Sequence, residues 1–139
     1  MLSFACKHLA HWRWGYALAA SAILFTLSSF PIRQPAHLPY LDKVEHVTAY
    51  FLLALSYFNA GSAGGRRVGR AVAAGAWLAV VAFGISDEWH QSFVPGRSAD
   101  VLDVLADAAG GALGVAAALK MRAGFVRLSG WGERARRSA

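Results

Sequence analysis

The sequence predicts an all-α fold, a polytopic membrane protein built as a four-transmembrane-helix bundle with both termini cytoplasmic. Three observations predict it. Hydrophobic residues make up 56% of the chain and charged ones only 16%, against about 25% charged in an ordinary soluble domain. Breaks rich in proline or glycine divide the apolar residues into four stretches, each near the length that crosses a ~30 Å hydrocarbon core. The basic residues gather at alternate breaks, as they do when charge follows membrane topology. At 139 residues there is room for one domain, so 1–139 is a single membrane domain with 120–139 as a basic cytoplasmic tail.

The first helix is expected over Trp14 to Ile32, which holds no charged residue. Lys7 and Arg13 precede it, as in a secretory signal. The apolar run is long, however, and Leu27-Ser28-Ser29-Phe30-Pro31 is an imperfect cleavage context, so a retained helix is expected. Trp12, Trp14 and Tyr16 suit one membrane interface as aromatic anchors. Pro31, Pro35 and Pro39 then break the chain. Asp42 is the expected N-cap of the second helix, with Glu45 in capping-box position, and that helix should end near Asn59. Gly61, Gly64 and Gly65 with Arg66, Arg67 and Arg70 form the next turn.

The third helix should start near Val68 and run into Asp87-Glu88-Trp89-His90-Gln91, where Pro95-Gly96 stops it. The fourth begins near Ser98 or Ala99 and continues to about Leu119. Along it Asp100, Asp103, Asp107, Gly110 and Gly114 recur at intervals of three and four, so they share one face. Half of that stripe is acidic and half is glycine. Gly110 and Gly114, with Gly111 adding room, let another helix approach closely.

Four helices place both termini on the same side. Lys7, Arg13, Arg66, Arg67, Arg70, Lys120, Arg122, Arg127, Arg134, Arg136 and Arg137 fall on that side, and only Arg33, Lys43 and Arg97 fall opposite. The basic side is therefore cytoplasmic and the chain is a multi-pass protein of the inner membrane. The tail, with Met121, Phe125, Leu128 and Trp131 at helical spacing, either lies on the anionic inner leaflet or is a solvated tail that fixes orientation. A formal charge of +6 does not point to nucleic acid, because no basic helix is interleaved with stacking aromatics. The lipid bilayer is the expected partner. Cys6 is the single cysteine, cannot form an internal disulfide and reads as a bland thiol.

Topology also concentrates the acids. All but Glu133 of the eight lie at or near the outer ends of the second, third and fourth helices: Asp42, Glu45, Asp87, Glu88, Asp100, Asp103 and Asp107. His46, His90, Gln91, Tyr50, Lys43 and Arg97 accompany them. Asp42, His46 and Tyr50 share a face of the second helix, and Glu88 and Gln91 share one on the third. Asp107 lies about 12 Å along its helix from Ala99. At that depth an unpaired carboxylate costs at least a few kcal/mol, so it must be protonated, paired, hydrogen-bonded or metal-bound.

These residues resemble the VanZ-like family of small bacterial membrane proteins. That family has Asp-Lys-x-x-His-x-x-x-Tyr opening one helix, matched here by Asp42, Lys43, His46 and Tyr50. Its Glu-x-x-Gln closing the next helix is matched by Glu88 and Gln91, and an Arg after a proline-containing loop by Arg97. Asp-x-x-x-Asn-x-x-Gly is matched at Asp103 and Gly110, with Asp107 in place of the Asn. The likeness spans Asp42 to Gly114, about half the chain. It implies an association with resistance to teicoplanin-type glycopeptides and names no reaction.

Three readings of the constellation stay open. As a binding or resistance factor, its polar pocket takes a cell-envelope ligand, a lipid-linked headgroup or a glycopeptide. As an intramembrane enzyme, a hydrolase or transferase acting on a lipid or cell-wall precursor, it uses Glu88, Asp103 and His46 as acid, base or metal-binding groups. As a helper subunit, it only holds helices in register, with Arg97 neutralising an acid. His46, His90 and Glu88 are the candidate ligands for a divalent metal, although no tight motif such as His-Glu-x-x-His is present. Ser92 and Ser98 read as turn residues rather than nucleophiles. Tyr50, Trp77, Trp89 and Phe93 either pack and anchor or line a lipid-facing groove.

Overall fold

The computed structural model describes the backbone of residues 2–31, 41–62 and 69–137 and the side chains of 12–31, 41–62 and 69–127. Arg33, Pro35, Pro39, Gly64, Gly65, Arg66, Arg67 and Val68 lie outside the described residues. So do the side chains of Cys6, Lys7, Leu128, Trp131, Glu133, Arg134, Arg136 and Arg137.

The described residues form four helices and no strand: α1 (Leu2–Ser28), α2 (Leu41–Gly61), α3 (Arg70–Gln91) and α4 (Val101–Arg137). The number and order of helices follow the expectation; several ends do not. α1 starts well before Trp14 and stops at Ser28 rather than Ile32. Proline disfavours helical backbone in the residue before it, so Pro31 forces an early exit. The hydroxyl of Ser29 donates to the Phe25 carbonyl at 2.7 Å and helps close the last turn.

Asp42 is not ahead of α2 but within its first turn. Its carboxylate lies 3.1 Å from Lys43 Nζ, the stronger attraction for an anion at that position. α3 begins at Arg70, after an extended Gly69 (φ −74°, ψ 167°). Beyond it, the Arg97 amide donates to the Val94 carbonyl at 3.0 Å, and Gly96 has φ 83°. Proline second and a positive-φ glycine third define a type II turn, which is why Pro95-Gly96 ends α3 cleanly.

The fourth helix has its cap at Asp100. The Leu102 amide donates to Asp100 Oδ1 at 2.9 Å, satisfying one of the unpaired N–H groups of the first turn. α4 also continues past Leu119 to Arg137. No proline follows Leu119, and Ala, Lys, Met and Arg are good helix formers, so nothing stops the helix there.

α4 packs most extensively on α2, and its glycine stripe shows why. A Cβ at Gly110 would collide with the Val47 carbonyl, and one at Gly114 with the Phe51 carbonyl. Backbone here meets backbone. Gly111 similarly makes room for Val80 of α3. The core joins Tyr50, Leu53, Ala54 and Phe58 of α2 to Ala76 and Val80 of α3 and to Val115 and Ala118 of α4. α1 lies against α2, where Ser21 Oγ and Tyr57 OH hydrogen-bond at 3.0 Å.

α3 and residues Val101–Arg127 of α4 are each long and apolar enough to cross a membrane. Only 28% and 33% of their apolar windows is buried inside the bundle. A soluble core helix of that character turns its large side chains inward; here Leu78, Ile85, Leu105 and Leu113 face out. α2 opens on Asp42, Lys43 and Glu45, which shortens its uncharged stretch.

Candidate functional site

The α2 and α4 N-termini meet the α1 and α3 C-termini at one end of the bundle. Two polar networks form there, side by side.

The first joins α2, α3 and α4. Lys43, His46 and Tyr50 fall on one face of α2 because they are spaced by three and four residues. Lys43 Nζ lies 2.6 Å from both Asp100 Oδ2 and Asp103 Oδ1. Asp100, which precedes α4, is held below the usual carboxylate range by the Lys43 ammonium. One turn deeper, His46 Nδ1 and Asp107 Oδ1 form a hydrogen bond of 2.8 Å. His46 Nε2 then faces Asp103 Oδ1 at 3.8 Å.

Asp107 is completely buried. Gly84 of α3 leaves the space for it: a Cβ there would come within 2.6 Å of Asp107 Oδ2. Glu88 is 4% exposed and its Oε2 accepts the Asp100 amide at 2.9 Å. Three side-chain atoms of this network are buried and make no hydrogen bond: Glu88 Oε1, Asp107 Oδ2 and the Tyr50 hydroxyl. Such groups normally find partners in folded proteins.

The second network joins α1, α3 and the loop after it. Asp87 Oδ1 accepts from Ser28 Oγ at 2.5 Å, and Oδ2 accepts from Gln91 Nε2 at 3.0 Å. Arg97 Nη1 donates to Gln91 Oε1 at 2.9 Å, and Arg97 Nε donates to the Phe30 carbonyl at 3.2 Å. Both oxygens of the buried acid are taken.

The structure therefore divides the residues that the sequence grouped. Lys43, His46, Tyr50, Glu88, Asp103 and Asp107 come together, with Asp42 at the edge. Gln91 and Arg97 belong to the other network, where Arg97 pairs with an amide and a carbonyl rather than with an acid. His90 is a correction to the expected metal set. Two residues beyond Glu88 on a helix, it points away, stacks on Phe25 with ring centroids 4.3 Å apart and lies 3.0 Å from Ser29 Oγ. In its place Asp103 converges: ligand atoms of His46, Glu88 and Asp103 lie within 4.8 Å of one another.

Among the aromatics, Tyr50 is core and stacks on His46 at 6.1 Å. Trp77 Nε1 donates to the Ala108 carbonyl at 3.0 Å, tying α3 to α4. Trp89 and Phe93 are exposed and pack edge to face. Ser92 Oγ donates to the Trp89 carbonyl at 2.6 Å, a turn contact. Sequence reasoning missed Ser28 and Gly84, and it missed Asp87 as a network centre. Gly84 carried a signal, standing one turn before Glu88 on its helix; Ser28 carried none. Chemically, a buried set of one imidazole and three carboxylates can hold a cation, relay a proton or bind a polar headgroup.

At the opposite end of the bundle a groove of about 480 Å³ runs between α1, α2 and α4, with Arg13, Tyr16, Asn59 and Arg122 among its lining. It is far from both networks.

A family model described as VanZ/LLP1 matches residues 13–122. Comparison with curated proteins and with solved structures gave no match. The matched stretch reaches from α1 into α4 and contains both polar networks, the whole of α3 and most of the α4 segment able to cross a membrane. Carrying this fold, the chain belongs to the VanZ/LLP1 family, which is membrane-associated.

Proposed function

We propose that this chain is a four-span inner-membrane protein whose outward-facing polar pocket binds a cell-envelope ligand, a lipid-linked headgroup or a glycopeptide. Both termini are cytoplasmic in this reading. The charge distribution supports that orientation, since Arg13, Arg70, Lys120, Arg122 and Arg127 lie at the end away from the acidic networks. The observation that carries the ligand reading is the buried, unpartnered Glu88 Oε1, with Asp107 Oδ2 and the Tyr50 hydroxyl beside it. Leaving such an atom unpaired costs about 1–3 kcal/mol. A ligand that supplies the missing partners accounts for their retention, and capture of a glycopeptide or its target would contribute to teicoplanin-type resistance.

The test uses purified protein in nanodiscs, titrated with teicoplanin and with a lipid-linked cell-wall precursor. Binding of either is expected, weakened at least about tenfold, or about 1.4 kcal/mol, by Glu88→Gln with the fold intact. No binding of either ligand would sink the reading. In intact cells a cysteine at Ser98 should react with a membrane-impermeant maleimide, whereas one at Met121 should not; the reverse pattern would overturn the orientation.

An intramembrane hydrolase or transferase is the second reading. It is favoured by one observation, the free Glu88 oxygen in the same cluster as His46. It requires turnover of the precursor, not only binding.

A further inference from the structure

We propose that His46 Nε2, the Glu88 carboxylate and the carboxylate of Asp103 form a site for one divalent transition-metal ion of the zinc class. The proposal rests on the reading of this network as a ligand site, and it names what the ligand would meet there. Asp107 acts as the positioning residue.

The first argument is geometric. Ligand atoms of the three residues lie within 4.8 Å of one another, and a tetrahedral zinc site needs its ligands about 3.3 Å apart. Glu88 has three side-chain torsions to close that gap. The three groups come from three different helices, so the bundle itself fixes the site. One imidazole and two carboxylates are a donor set suited to zinc-class ions, and three protein ligands leave a fourth position open.

The second argument is the histidine tautomer. In the neutral tautomer that gives Nδ1–H to Asp107 Oδ1, 2.8 Å away, the lone pair is on Nε2, which faces Asp103. A carboxylate that orients a ligating histidine from its other nitrogen is the usual outer-shell arrangement of such sites. Lys43 also holds Asp103 Oδ1, which fixes this carboxylate beside His46.

The third argument is independent of the acidic cluster as such. Glu88 is 96% buried, given its 4% exposure, and its Oε1 has no partner. Among the described residues, Asp42, Asp100 and Asp103 share the Lys43 ammonium. Glu88 and Asp107 are left there with His46, so with all of these acids ionised a cation completes the charge balance. A bound metal would present its open position to an anionic group, which lets a phosphate or carboxylate of an envelope ligand approach a wall of acids.

The experiment is titration of chelator-stripped, detergent-solubilised protein with Co²⁺, followed by displacement with Zn²⁺. One equivalent should bind, with the visible absorption of four-coordinate Co²⁺ bleached by Zn²⁺. Glu88→Gln and His46→Gln should each weaken binding at least tenfold, and Asp107→Asn by about 10- to 100-fold. His90→Gln should bind as wild type does. Failure of folded wild-type protein to bind either ion overturns the proposal, as does wild-type affinity in both Glu88→Gln and His46→Gln. Titrating teicoplanin and the lipid-linked precursor in the presence of chelator separates the two ideas. Envelope-ligand binding that persists unchanged there, with no metal bound, discards the metal and keeps the pocket.

Discussion

Asp87 and Glu88 are adjacent in sequence, on the same turn of α3, and each is only 4% exposed. They sit in opposite kinds of surroundings. Asp87 has both oxygens occupied, by Ser28 and Gln91, and Gln91 is tied through Arg97 to the backbone of Phe30. Glu88 has one oxygen on the Asp100 amide and the other on nothing. One helix step, about 100°, separates them, enough to turn Asp87 towards α1 and Glu88 towards α2 and α4. A fully paired buried carboxylate is a clamp: it fixes helix register and stabilises the fold. A half-paired one is a standing cost that the fold carries for some other purpose. In the proposed reading, the Asp87 network is structural and the Glu88 network is the one that meets the ligand.

The largest expected effect breaks the Glu88 side of this comparison alone. Gly110→Leu puts a side chain where the Val47 carbonyl now sits, so α2 and α4 must separate. Overpacking of that kind costs about 3 kcal/mol or more. Because Lys43 and His46 reach Asp103 and Asp107 across this helix pair, the cluster disperses with it. The Ser28–Asp87 bond lies between α1 and α3 and should survive. Thermal unfolding in detergent reads the stability loss. Hydrogen exchange that leaves the α1–α3 contact protected while α2 opens reads the asymmetry. Equal loss of protection in all four helices would show that the two networks are one unit.

Asp87→Ala is the converse and smaller change. It strands the Gln91 amide and the Ser28 hydroxyl in a buried place, costing about 2 kcal/mol. Polar contacts between membrane helices measure lower on average, near 0.6 kcal/mol, so a result at that end is also consistent with a clamp. Ligand and Co²⁺ binding should stay within about twofold of wild type. A fall of tenfold in binding with unchanged stability would reverse the assignment of the two networks.

How far the sequence disclosed this arrangement follows from what each signal depends on. Helix number and the Asp103–Asp107–Gly110–Gly114 stripe were legible because periodicity is a local property. Membership of Lys43, His46, Tyr50, Glu88 and Asp103 in one cluster was legible because helix order and the family pattern put their ends together. Caps were not. Asp42 reads as a cap by type and spacing, but the neighbouring Lys43 draws its carboxylate, while Asp100, read as the head of the stripe, is the residue that caps α4. His90 was placed with the metal candidates because it lies at the same outer helix end, and helical phase carries it to α1. Ser28 is bonded across 59 positions to Asp87, a pairing that no local pattern encodes. Asp107 answers its own departure from the family Asn. Its Oδ1 bonds to His46 as an amide oxygen could, and the change of chemistry falls at Oδ2, the atom left unpartnered.

The smallest effect tests whether the rim of the Glu88 network behaves as a clamp in its own right. Asp100 is bonded to Lys43 Nζ at 2.6 Å, and its carboxyl is held below the ordinary aspartate value of 3.8. A group whose folded-state pKa is depressed binds fewer protons folded than unfolded. Its contribution is therefore present above the unfolded value and is lost as pH falls through the folded one. Asp100→Asn removes the charge but keeps a side chain that caps a helix about as well as aspartate. The difference in melting temperature between wild type and Asp100→Asn, measured in an uncharged detergent, should be constant from pH 7 down to about 5. It should then shrink towards zero as the pH is taken below 3.8. The side chain is partly exposed, so added salt should shrink the same difference at neutral pH. A difference that ignores both acid and salt would mean that Asp100 acts through its cap alone. Lys43 would then be bound to the cluster by Asp103, itself one of the proposed metal ligands.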